Sequence, residues 1–186
     1  MVMNMIAEKT ENHEISAKAD KGYRNEMEIL FDAVSSNESF ARVAVAAFVS
    51  HLNPTLEEIS DIKTAVSEAV TNAIIHGYEN LHGYGKHGEA KPAGLVIHPG
   101  KVRLYCLLEG GILHIEVSDK GKGIENIDQA MEPLFTTKPE LDRSGMGFAF
   151  MEACMDDLEV ESRPGEGTTV RMKKKMGTGS WIDEED

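Results

Sequence analysis

Long apolar runs are missing from this 186-residue chain: the longest, Val43–Val49, is far too short to cross a bilayer. An excess of basic charge is missing as well. The formal net charge is −13 and the pI is near 5.0, a balance that repels phosphate backbones and argues against direct nucleic-acid binding. A protein partner would more readily offer a basic surface. The N-terminal residues MVMNMIAEKTENHE have neither the basic start nor the apolar stretch of a secretory signal, so a cytoplasmic protein without a membrane segment is expected. Cysteine is scarce. Cys106 falls in a strand-like run and Cys154 in a helical one, both among apolar neighbours, as suits small buried side chains in a reducing compartment. Neither has a second cysteine or a histidine at metal-ligand spacing, and no internal repeat is present.

What is present is an ordinary globular composition, 41% hydrophobic and 27% charged, in a length that suits one domain. Residues 1–22 are polar and aperiodic and read as a flexible extension; residues 177–186, GTGSWIDEED, read as an acidic tail. Between them, residues 23–176 form the expected domain. Tyr23, Met27, Ile29 and Phe31 fall on alternate positions, a half-buried strand. NESFARVAVAAFVSHL follows as a helix, and Asn53-Pro54 is expected to start the next, which stops near Gly77. A Gly/His/Pro-rich loop insertion occupies about 82–100; its His82, His87 and His98 match no compact metal site. KVRLYCLL and ILHIEVSD flank Glu109-Gly110-Gly111 as a hairpin, and LEVESR and TTVRMKK form a second around Pro164–Gly167. Between the hairpins, Pro133–Gly147 reads as a loop leading into the helix FAFMEACMDD. The layout is α+β: one mixed, mostly antiparallel sheet with its helices on one face.

Three elements carry candidate chemistry. Glu68, Asn72 and His76 lie four residues apart along one helix face that holds no Lys or Arg. Glu68 suits a general base and Asn72 a hard oxygen ligand for Mg²⁺; a buried capping network is the alternative. A last-turn histidine such as His76 also interacts favourably with the helix dipole. Asp119 shares the inward parity of Leu113, Ile115 and Val117, so its strand aims a carboxylate along the core-facing side, into the loop DKGKG. Such a group needs donors, from an exocyclic amine, from backbone N–H groups, or from its own turn. Finally, SGMGF puts two glycines before a helix, where backbone N–H groups favour a phosphate, with Thr136, Thr137, Lys138 and Arg143 just upstream.

The order E-x-x-x-N on a helix, D-x-G-x-G after a strand and G-x-G opening a helix resembles the GHKL ATPase superfamily, whose members bind ATP in a Bergerat fold. NESFARV, VSEAVTNAIIHGYEN, PLFTTKPELDRSGMGF and GTTVR narrow the likeness to the anti-sigma-F factors of spore-forming bacteria, a family of serine protein kinases. It covers about 23–81 and 101–175; the extension, the tail and the long insertion depart from it. The resemblance implies that Asn72 would ligate Mg²⁺ bridging the ATP phosphates and that Glu68 would deprotonate the attacking hydroxyl. Asp119 would accept from the adenine amine, Gly121 and Gly123 would let backbone approach the base, and Thr169 would help at the adenine edge. The stretch from Thr136 through Thr137, Lys138, Arg143, Ser144, Gly145 and Met146 to Gly147 would form a lid donating to the terminal phosphates. It also implies a homodimer that holds a sigma factor of the sigma-F type and phosphorylates a serine of an anti-anti-sigma protein. Arg42 would serve both partner surfaces; a solvated helix arginine is its plainer reading. An anti-sigma kinase of a stress regulon, a sensor-kinase catalytic domain and a nucleotide-dead partner-binding module are the other readings.

Overall fold

The computed structural model describes residues 23–78, 100–132 and 145–177; the N-terminal extension, nearly all of the insertion, most of the loop before Gly147 and the tail beyond Gly177 lie outside the described residues. Five strands form one sheet: β1 (Arg24–Asp32), β2 (Lys101–Glu109), β3 (Ile112–Asp119), β4 (Asp157–Arg163) and β5 (Gly167–Lys175). Their order is β1-β2-β3-β5-β4, and every neighbouring pair is antiparallel. Four α-helices are described: α1 (Ser36–Val49), α2 (Leu56–Asn72), α3 (Ile127–Met131) and α4 (Gly147–Cys154).

Alternation builds the sheet. In β3, Leu113, Ile115 and Val117 are buried while His114, Glu116 and Ser118 point to the other side. Register sets Ile115 opposite Cys106 and Val117 opposite Leu104, so one face is a continuous apolar layer. Ile62, Val66 and Val70 of α2, Val45 and Val49 of α1 and Met151 of α4 complete that core. Burial pushes the Cys106 thiol up to about 12, which leaves it a small hydrophobe. The β2–β3 turn needs Gly110 and Gly111 in sequence, because both adopt positive φ (58° and 76°), the hairpin conformation that follows the sheet's twist.

The start of α2 differs from the Asn53-Pro54 expectation. Asn53 sits in the left-handed region (φ 51°, ψ 51°) and closes a short 3₁₀ turn, Ser50–Leu52. Thr55 is the cap: its hydroxyl accepts from the Glu58 N–H at 3.1 Å, and the Glu58 carboxylate accepts from the Thr55 N–H at 2.7 Å. This reciprocal pair satisfies two donors that a lone Asn would not. The buried Glu58 also accepts from the Gly177 N–H at 3.0 Å, tying the end of the domain to the start of α2. Thr55→Ala is expected to cost about 1 kcal/mol and lower Tm by a few degrees, measured by thermal unfolding.

The sheet's other face is polar. Glu28, Arg103, Glu116, Arg171 and Glu161 form an alternating ladder across it, with Arg103–Glu28 at 2.6 Å and Arg171–Glu116 and Arg171–Glu161 at 2.9 Å. Each exposed pair adds little stability. The ladder does fix which face stays wet.

Candidate functional site

Beyond Asn72 the helix continues as a π-turn, Ala73–Gly77, whose wider i→i+5 bonding carries the chain to the end of β3. Ile62, Ala65, Val66, Ala69 and Val70 of α2 face the core. The half-buried Glu68, Asn72 and His76 instead line a cleft of about 650 Å³. Its other walls are the end of β3, the loop around Lys122–Asn126, the start of α4 and β5.

At one end of the cleft α2 meets the glycine motif before α4. A Cβ added to Gly147 would stand 3.0 Å from the Glu68 carboxylate and 3.3 Å from the Asn72 amide nitrogen, so the two polar side chains lie close against this wall and a larger residue would push them back by a few tenths of an ångström. Gly145 and Met146 line the same end, with Gly145 at φ 67°. The structure thus brings Glu68, Asn72, Gly145, Met146 and Gly147 together. Thr136, Thr137, Lys138, Arg143 and Ser144 lie outside the described residues.

At the other end stands Asp119, 7% exposed, where inward parity placed it. Its Oδ1 accepts from the Gly121 N–H at 2.8 Å, and the Thr168 N–H donates to the carboxylate too. Burial pushes the group up to about 6, against the pull of those two donors. Asp119 therefore does cap its turn, one oxygen holding the loop, and the group also lines the cleft. Gly77 packs directly on it, since a Cβ there would lie 2.8 Å from Oδ1.

One expectation changes and another gains a second reason. Gly121 and Gly123 are crossed by protein backbone, and Gly123 also lines the cleft. A Cβ on Gly121 would overlap the Gly77 carbonyl, and one on Gly123, at φ 71°, would overlap the Arg163 carbonyl. Of the two threonines in GTTVR, Thr168 lines the cleft and Thr169 does not; Thr169 pairs with Ser118, whose side chain is on the far face of β3. Arg42 is also outside the cleft. It lies on α1, bonded to Glu38 at 2.8 Å, between the exposed Phe40 and Val43.

Sequence reasoning missed Lys122, Glu125 and Gln129, which line the cleft beside the short α3. The signal was Asn126 with Gln129 three residues on: the Asn126 side chain accepts from the Gln129 N–H at 3.1 Å. Among the described residues no group of three or more His, Cys, Asp or Glu side chains is placed to hold a metal. Glu68 and Asn72 nevertheless offer oxygens side by side, a sparse set that fits Mg²⁺, which keeps water and phosphate ligands of its own.

A sheet covered on one face by helices, with a polar helix stripe, a buried carboxylate and a glycine-opened helix around one cleft, is a histidine kinase-like ATPase domain; the model of that family matches residues 33–174. The chain is 54% identical over 153 residues to an anti-sigma F factor of Anoxybacillus flavithermus, covering 82% of this chain and 94% of that protein. It is 56% identical over 152 residues to one of Clostridium acetobutylicum, with the same coverage of 82% and 94%. The chain belongs to the anti-sigma F factor family. A solved structure, the RsbU and RsbW domains of Rv1364c from Mycobacterium tuberculosis, shares the fold with a TM-score of 0.52 at 20% identity, over 82% of this chain and 32% of that one. Among the described residues no helix is long and apolar enough to cross a membrane.

Proposed function

We propose that the cleft binds ATP with Mg²⁺ and that the chain is an anti-sigma factor and protein serine kinase, one that sequesters a sporulation sigma factor of the sigma-F type and phosphorylates a serine of its anti-anti-sigma antagonist. One observation carries the reading: the half-buried Glu68 and Asn72 touch the glycine motif at one end of a cleft whose other end is the buried Asp119. That spacing suits a ligand with an amine-bearing base at one pole and phosphates at the other. A nucleotide-dead module would need the Asp119 cap but would have no use for a general-base candidate at the opposite end of the same cleft.

Asp119 accepts the adenine amine, which selects adenine because guanine presents a carbonyl there. Gly145, Met146 and Gly147 offer backbone N–H groups at the start of α4 to the phosphates. Bound Mg²⁺ would neutralise phosphate charge, held on the protein side by Asn72. Glu68 takes the proton of the serine hydroxyl as its oxygen bonds to the γ-phosphorus; the bond to the β-phosphate oxygen breaks and ADP leaves. Positioning and charge neutralisation supply the rate. On α1, Arg42, paired with Glu38 and flanked by Phe40 (51% exposed) and Val43 (59% exposed), supports the partner reading: an exposed apolar pair beside an arginine is a surface that fits a protein. A homodimer in the cytoplasm completes the proposal. The decisive test is transfer of labelled γ-phosphate to a serine-bearing anti-anti-sigma protein, together with ATP-dependent capture of a sigma factor; failure of both overturns it.

The raised Asp119 pKa gives a pH signature. The ionised carboxylate is the better acceptor, so ATP affinity is expected to be level above about pH 7 and to weaken as pH falls through about 6, where the folded protein takes up a proton. Asp119→Asn should flatten that profile between pH 5 and 7.5 and weaken the preference for ATP over GTP, both read by calorimetry. An unchanged profile would remove Asp119 from the base site.

A further inference from the structure

Tyr78 follows Gly77 at the end of the π-turn and is 7% exposed. Its hydroxyl is fully used. It donates to the Lys101 carbonyl at 2.6 Å and accepts from the Lys120 N–H at 2.8 Å. Lys101 opens β2, and Lys120 is the residue after Asp119, so one hydroxyl joins the end of the polar helix to the ends of two strands. The ring is held as well: a Cβ on Gly100 would overlap it, and the Gly100 carbonyl accepts from the Ala33 N–H at 2.7 Å. Neighbouring bonds pin the rest of the loop. The Lys122 N–H donates to the Gly77 carbonyl at 2.9 Å, and the Ile124 N–H to Ser162 Oγ at 2.8 Å.

We propose that Tyr78 is the positioning residue for Asp119, setting the peptide that follows the carboxylate and hence its aim into the cleft; this rests on the reading of Asp119 as the adenine-recognising group. The physical ground is the cost of an orphaned buried donor. Without the hydroxyl, the Lys120 N–H and the Lys101 carbonyl both lose their partner. The 119–120 peptide then rotates to find another, and Asp119 turns with it. The phosphate end of the cleft, built on Asn72 and Gly147, is untouched by that rotation.

Tyr78→Phe keeps the ring against Gly100 and removes the hydroxyl. Two nucleotides separate positioning from general damage: ATP, and purine riboside triphosphate, which lacks the exocyclic amine. The variant is expected to bind ATP roughly tenfold more weakly than the parent, with binding of the amine-free analogue held within about twofold. Equal weakening of both, or of neither, overturns the proposal. If the parent itself binds no ATP, the ATP reading fails first, and the proposal with it. A second measurement does not depend on the variant folding. With 3-fluorotyrosine at position 78, the fluorine resonance should move on adding ATP and stay in place with the analogue. The same response to both overturns the assignment.

Discussion

Glu68→Gln is expected to leave ATP affinity close to that of the parent while phosphate transfer to a serine substrate falls about 10²–10⁴-fold. The amide has the size of the carboxylate and keeps an acceptor oxygen, so the contact with the Gly147 wall survives. What it lacks is a site for the serine proton as the oxygen attacks phosphorus. The comparison to make is single-turnover transfer against nucleotide binding in the same preparation. A variant that loses both in parallel would identify Glu68 as a structural carboxylate and return the base to another group.

Asn72→Ala should have an effect of similar size by a different route. The carboxamide is the neutral oxygen donor of the stripe, and under the proposed function its removal would leave Mg²⁺ without that protein ligand beside the phosphates. Transfer is expected to drop by about two orders of magnitude or more, and ATP binding to lose its dependence on added Mg²⁺. Stability should hardly change, because the side chain lines the cleft rather than the packed face of α2. Full transfer by the alanine variant would remove the metal role. The two substitutions are thus separable: one spares Mg²⁺-linked binding and the other does not.

Much of this was legible in the residues. Period two in β3 placed Asp119 on the buried side, and paired glycines located the hairpin between β2 and β3. The spacing of Glu68, Asn72 and His76 marked one helix face, and that face lines the cleft. Other features stayed hidden for physical reasons. Helix α3 spans five residues, too few for a 3.6-residue period to show. Gly121 and Gly123 look the same in sequence whether or not a carbonyl lies against them, so the Gly77 and Arg163 carbonyls that cross them were not legible. The cap was legible but passed over: Asn53 and Thr55 are both good caps, and Glu58 three residues after Thr55 is the spacing of the reciprocal pair that decides between them. Thr168 was within reach. Val170 and Met172 are buried, so their parity, not that of Thr169, marks the side of β5 that meets the cleft.

The order β1-β2-β3-β5-β4 sets two local hairpins side by side, and the cleft lies over the seam between them. Within each hairpin the strands are joined by a short turn and closing the loop costs little entropy, whereas Ser118 and Thr169, which face each other across the seam, are far apart along the chain. Asp119 belongs to one hairpin and the Thr168 N–H that donates to it belongs to the other. A ligand seated on both would therefore act as a removable staple across the boundary whose contacts are long-range in sequence. At a concentration of 100 times its Kd it would add about 2.7 kcal/mol to the stability of the folded chain. Occupancy of the cleft and cohesion of the sheet are one equilibrium, so the protein's lifetime in the cell would follow the supply of whatever fills the cleft.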